Sequence, residues 1–386
     1  MEITVKKEDI VSALNTTLGV VEKKHTIPIL ANVLFEVSEN TLHLTATDLT
    51  SEVTTNCPLV NFNTEGKTTI SARKLNDLCR LIPDGEEINI AMAGEKISIK
   101  TKKGKYSLST LPSEDFPIFS AEDENTFLSI PSQDLRDLIV STSFAIDVSG
   151  WKDWLMGLFI SANDGELVAV ASDAIRLATA KKTIEANHSF SGVVPRKSIN
   201  EISRFLSDHS GNVDFAINHS TVLLSTENLV FKSKLISGGH NLDYFQRVIP
   251  SGDSSVLECN TKEFLEALNR ISVLANDNLY NEVHLHASAE GLRLNANTKL
   301  SEVAEESAKS NLSGDEFKTV VNGSVLKEAI THIKTDNCHI NFFGPDKVIL
   351  VSPPNTNEQQ YVVQPVKPVT LGSETIPAEA TTSNVD

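Results

Sequence analysis

SARKLNDLCRLI, residues 71–82, and VPRKSINEISRFL, residues 194–206, place the same device twice in one chain. A small residue or proline is followed by Arg-Lys and then by an amphipathic run carrying a second arginine. In the first stretch Leu75, Leu78, Cys79 and Ile82 recur at i, i+3, i+4 and i+7, a helical stripe facing a core. Arg73, Asp77 and Arg80 fall on the other face. In the second, Ile199, Ile202 and Leu206 form the stripe, and Glu201 and Arg204 lie away from it. Cations at a helix N-terminus oppose its macrodipole. Two copies of Arg-Lys there point to a use outside helix stability, with phosphate contact one candidate and a solvated helix face the other.

Working outward, the chain repeats a larger plan. ITVKKEDIVSALNTTLGVV reads as a strand and a helix with Ile10, Leu14 and Leu18 on one face. LSIPSQDLRDLIVSTSFAI repeats it with Leu135 and Ile139, and LECNTKEFLEALNRISVLA with Phe264 and Leu268. Ser132 and Thr261 are expected as N-caps. Alternating strands follow in each copy (NTLHLTATDL, GELVAVASDAIRLATA, EGLRLNANTKLSEVAEE), then the second helix and a set of three strands. The third copy of that helix, VNGSVLKEAITHIK, lacks the Arg-Lys pair: Gly323 and Ser324 stand in its place. This is an α+β plan of three repeated domains, each with two helices packed on antiparallel sheets. The expected domains are 1–122, 127–250 and 255–368, followed by a polar tail, 369–386, expected to be disordered.

The chain has 386 residues and a net charge of −17. Such a charge excludes a uniformly basic nucleic-acid binder, though not a local basic surface. Four scattered cysteines without a CxxC, and no apolar run of membrane length or signal-type N-terminus, point to a reduced cytoplasmic protein. TEGKTT, residues 64–69, lacks the first glycine of a phosphate loop, because Asn61 occupies that position. His284 and His286 share a strand face without a third ligand at a recognisable spacing. No metal, cofactor or catalytic constellation is expected, and repetition of a site-free fold argues for a scaffold rather than an enzyme.

In order along the chain, TIPILANVLFEV, LTATDL, ISARKLNDLCRLIP, YSLSTLPSEDFP, VASDAIRLA, VVPRKSINEI, FKSKLISG and YVVQPV resemble the bacterial DNA polymerase sliding clamps, the beta subunits of the replicative polymerase. The resemblance runs from Met1 to about Pro368. It implies a head-to-tail homodimeric ring that encircles duplex DNA and tethers the polymerase without breaking any bond. Arg73, Lys74, Arg80, Arg196, Lys197 and Arg204 would face DNA, joined by Lys24, Trp151 and Trp154 from two loops; Trp154 is equally readable as cover for a core edge. A partner pocket between the second and third domains would take short linear motifs of polymerase subunits, the clamp loader and repair proteins. Its residues would be Leu155, Ser172, Ala174, Ile175, Arg176, Leu177, Leu242, Arg247, Val248, Val362, Gln364, Pro365 and Val366. Tyr106 would meet Val273 and Leu274 of a second copy at the dimer seam. Ala174-Ile175, Leu242, Gln364 and one extra residue before Arg247 depart from the family pattern. They leave open a clamp-like accessory or second-copy protein with altered partner specificity.

Overall fold

The computed structural model describes residues 1–21, 27–119, 126–184, 188–238, 242–277, 280–298, 302–345 and 347–366. It divides into two compact units. One comprises Met1–Ile249 with Thr356–Tyr361, and the other Pro250–Asn355 with the chain from Val362 on.

The repeat is visible as strand-then-helix pairs. The strand Glu2–Lys6 leads into α1 (Lys7–Leu18), and Gly66–Ser71 leads into α2 (Ala72–Arg80). Leu128–Pro131 precedes α3 (Ser132–Thr142), and Phe190–Pro195 precedes α4 (Arg196–Ser207). A short helix, α5 (Leu242–Gln246), comes next. Ser255–Asn260 then leads into α6 (Thr261–Ala275), and Phe317–Asn322 into α7 (Gly323–Thr331). The apolar stripes bury for the most part as their spacing requires: Ile10, Leu14, Leu75, Cys79, Leu135, Ile139, Ile199, Ile202, Phe264 and Leu268 are within the core, while Leu18 and Leu78 are only half-buried.

The first unit is built on a thirteen-stranded sheet. Its two halves meet where Leu229–Lys234 runs antiparallel to Ser51–Pro58, in a register from Leu229 opposite Thr55 to Ser233 opposite Ser51. Ser51–Pro58 is also paired along its other edge with Thr41–Thr47. It is therefore a central strand whose backbone is satisfied on both sides, and this pairing makes two domains one body. Ser51, Ser198 and Ser233 bring their hydroxyls together in the seam, with Ser198 and Ser233 Oγ atoms 2.6 Å apart and each 3.3 Å from Ser51 Oγ. Serines can be buried there because each meets another hydroxyl. Phe231, fully buried, tilts against Phe205 of α4 with ring centroids 5.5 Å apart. In the second unit α6 packs on α7 and on the strands Gly291–Asn297 and Val303–Ala308.

Two expected caps are displaced by one residue. α6 is capped by Asn260, whose side chain accepts from Glu263 N, while Thr261 Oγ1 donates to Thr335 O at 2.8 Å. α3 starts after Pro131 without a side-chain cap, and Ser132 Oγ donates to His209 O at 3.0 Å. Both hydroxyls lie inside the helix and tie it to a neighbouring loop.

Phe231→Ala should destabilise the first unit by about 3–5 kcal/mol, the cost of emptying a closely packed aromatic site. Urea unfolding followed by tryptophan fluorescence measures it directly; a midpoint unchanged from the parent would show that this seam is not part of the core.

Candidate nucleic-acid and partner surfaces

The six cations on α2 and α4 divide into two groups. Arg73, at the start of α2, turns its guanidinium to the end of α1, where Nη2 donates to Val21 O at 2.8 Å. Arg204, in the last turn of α4, reaches α1 from the other side, with Nη2 donating to Thr16 O at 2.9 Å. The last turn of a helix leaves carbonyls unpaired and carries the negative pole of the helix dipole, so Arg204 on Thr16 O is stabilised by hydrogen bond and field together, while Val21 lies three residues past the helix end. Glu201 holds Arg204 in place, accepting from Nε at 3.1 Å and Nη2 at 2.6 Å. Gly19 makes this approach possible, because a Cβ built on it would lie 2.0 Å from Glu201 Oε2.

Lys197 pairs with Asp48, whose side chain is almost fully buried. Burial pushes the Asp48 carboxyl up. The bonds from Lys197, Thr50 and Ser51 outweigh it and hold the carboxyl below the usual carboxylate range. Lys74, Arg80 and Arg196 differ: all three are exposed, and none forms an ion pair among the described residues. α7 keeps no such cations at its start. Asn322 caps it by accepting from Ser324 N and Val325 N, and Gly323 sits where a Cβ would meet Val283 Cγ2 at 2.7 Å.

The two tryptophans also separate. Trp154 is packed edge-on against Tyr244 and Phe245, with centroids at 5.5 and 6.0 Å. It is half-buried against these two rings. Trp151 is 62% exposed, with Lys152 Nζ 5.5 Å from its ring. Lys24 and the tail 369–386 lie outside the described residues.

Of the expected partner pocket, the first unit holds the turn Ser172–Arg176 and the α5 region. Ser172 Oγ donates to Arg176 O at 2.7 Å and accepts from Ala174 N at 3.2 Å. Arg176 Nε donates to Asp173 Oδ2 at 2.9 Å, and its guanidinium lies 5.4 Å from the Phe144 ring centre. Leu155 and Leu177 are buried and contribute core rather than an accessible wall, whereas Ile175 and Val248 are exposed. Leu242 lines a cavity of about 230 Å³ together with Val168, Val170, Phe245 and Ile249. Phe245 is buried and packs on Phe159 at 5.4 Å; it was missed from the sequence, although LDYFQRV carries its aromatic signal. Val362, Gln364, Pro365 and Val366 belong to the second unit, where Val366 N donates to Val320 O at 2.8 Å. Of the expected seam residues, Tyr106 is 42% and Val273 70% exposed, with Leu274 half-buried.

Three repeated α+β domains, two of them fused through one continuous sheet and carrying cations at the starts of their second helices, define a clamp-type scaffold. The sequence matches the DNA polymerase III beta subunit N-terminal domain over residues 1–120, the central domain over 129–240 and the C-terminal domain over 246–367. The beta sliding clamp of Pseudomonas aeruginosa is 31% identical over 369 residues, covering 95% of this chain and all of that protein; that of Escherichia coli is 29% identical over 368 residues with the same coverage. The crystal structure of the Pseudomonas aeruginosa subunit superposes with a TM-score of 0.91 at 30% identity, over 95% of this chain and 100% of that one. The Bacillus subtilis clamp gives 0.91 at 25% identity, over 95% of this chain and 99% of that one. The chain belongs to the DNA polymerase III beta subunit family, the bacterial DNA sliding clamps.

Asp48→Asn should cost about 1–3 kcal/mol at neutral pH, because it removes one partner of a mostly buried pair. The folded carboxyl titrates below its unfolded value, so its contribution is complete above about pH 4 and is lost as pH falls through the lower folded value. Urea midpoints of parent and variant should differ at pH 7 and converge in strong acid; a constant difference would place the effect elsewhere.

Proposed function

We propose that this sliding clamp acts as a non-catalytic cytoplasmic processivity factor, a head-to-tail dimer that encircles duplex DNA and recruits polymerase subunits through short linear motifs. Lys74, Arg80 and Arg196 carry the reading. They are exposed cations without carboxylate partners among the described residues, on a chain of net charge −17. Charge of this kind meets phosphate without reading bases, which is the requirement for sliding. Arg73, Lys197 and Arg204 serve the same surface indirectly by fixing the two helices to α1 and to the 47–51 turn. Trp151 stands ready to contact DNA from its loop. Partner motifs would engage the Ser172–Arg176 turn and the α5 region in the first unit.

The combined variant Lys74→Glu, Arg80→Glu and Arg196→Glu should weaken duplex binding and lower the salt dependence. The slope of log K against log salt should fall by about 2–3, near 0.9 for each phosphate that is no longer neutralised. Fluorescence anisotropy of a labelled duplex across a salt series tests this; an unaltered slope would remove these three residues from the DNA surface.

Light scattering should give a species of twice the 42.1 kDa chain mass. Leu274→Lys should shift it toward monomer, because each apolar side chain removed from such a seam costs about 1.5–3 kcal/mol. A variant that stays dimeric on dilution would exclude Leu274 from the interface.

A further inference from the structure

We infer that the first unit carries a second docking groove, distinct from the Ser172–Arg176 region, that accepts an acidic, apolar-anchored peptide segment of a partner protein. The groove has a volume of about 1030 Å³ and lies where the first two domains join. Leu49, Ile118, Phe119, Leu235 and Ile236 are among its apolar lining residues; its polar lining is mostly neutral hydroxyl and amide groups, with His219, Lys232 and Lys234 added. Ile118 is 60% and Leu49 39% exposed, which leaves a contiguous apolar surface uncovered by the described chain.

The turn that forms one wall is a structural duplicate of the 172–176 turn. Thr47 Oγ1 donates to Ser51 O at 2.9 Å and accepts from Leu49 N at 3.1 Å, as Ser172 does with Arg176 and Ala174. Asp48 Oδ1 accepts from Thr50 N and Ser51 N, as Asp173 Oδ1 does from Ile175 N and Arg176 N. Leu49 and Ala174 both adopt φ of 73°. A leucine in the left-handed region is strained. The turn's own hydrogen bonds keep it there, with its side chain lining the groove.

Charge selects the occupant. On a chain of net charge −17, the described residues lining this groove include two lysines and no carboxylate. Lys232 lies 3.9 Å from the buried Glu52 beneath, while Lys234 is exposed with Nζ 5.7 Å from the Phe119 ring centre. An apolar floor with cations beside it complements a peptide whose apolar anchors are flanked by carboxylates. A nucleic acid would leave Leu49, Ile118 and Leu235 without partners.

The proposal rests on the recruitment role of the clamp, and its test separates the two sites. The methyl-labelled full chain would be titrated with the peptide Ac-EELFDLE-amide, and binding followed by fluorescence anisotropy of its labelled form. Methyl shifts are expected at Leu49, Ile118, Leu235 and Ile236. Lys234→Gln and Leu49→Gly should each weaken binding by about tenfold, roughly one decade in Kd. Glycine at 49 keeps the backbone conformation while removing the side chain, and the remaining methyl spectrum reports whether each variant is folded. Silent groove methyls at millimolar peptide would overturn the inference, as would equal affinity for the peptide with lysine in place of every acid, or displacement by a duplex oligonucleotide. Shifts confined to Leu155, Leu177 and Val248 would also overturn it while leaving the recruitment role intact.

Discussion

The antiparallel contact between Leu229–Lys234 and Ser51–Pro58 is the constraint on which the first unit depends. A strand paired on one edge only would leave a row of open backbone groups. Pairing on both edges turns the end of one domain's sheet into the start of the next. The same contact brings Ser198, at the head of α4, onto Ser51 and Ser233. It thereby fixes α4 against α1, where Arg204 and Glu201 engage Thr16 and the Gly19 end. Without that pairing, the four charged residues Asp48, Lys197, Glu201 and Arg204 would have no shared frame.

This frame explains why identical residue types at the starts of two helices do different work. Arg73 and Arg204 are consumed by carbonyls at the end of α1, and Lys197 by a buried carboxylate. Arg73 and Arg204 are half-buried, whereas Lys197 is exposed and its partner Asp48 is the buried member of the pair. Lys74, Arg80 and Arg196 face solvent. The opposition between cations and a helix N-terminus is offset differently in the two helices: Arg73 at the start of α2 donates to Val21 O just past α1, and Lys197 at the start of α4 pairs with Asp48.

The element order and core stripes were legible because they rest on local periodicity; Leu75, Cys79, Ile199 and Ile202 bury as their spacing demands. What stayed hidden was set by tertiary contact. Lys197 and Asp48 are 149 residues apart, so no spacing rule pairs them. Ser132 and Thr261 have the chemistry of caps but sit one residue too far into their helices, where loops compete for their hydroxyls. The edge-on contacts of Trp154 with Tyr244 and Phe245, far along the chain, likewise have no local sequence signal. The left-handed Leu49 gave no signal at all, since a leucine does not advertise positive φ as a glycine would.

On the proposed function, the division among the cations has a further physical meaning. A side chain held by hydrogen bonds, as Arg204 is by Thr16 O and Glu201, has already lost rotamer entropy and offers little to a moving partner. Lys74, Arg80 and Arg196 keep theirs, and long cationic side chains that remain mobile can follow a phosphate as it passes, exchanging one for the next without a fixed geometry to break. On the proposed reading, the fixed cations would build the surface and the three exposed ones would contact what moves across it. Lys197 and Arg204 are each offset by a carboxylate, Asp48 and Glu201, which lowers the positive charge that the two helices present. A strong field would raise affinity at every register and with it the friction of moving between registers. A weak, flexible one would, on the proposed function, leave retention to ring closure.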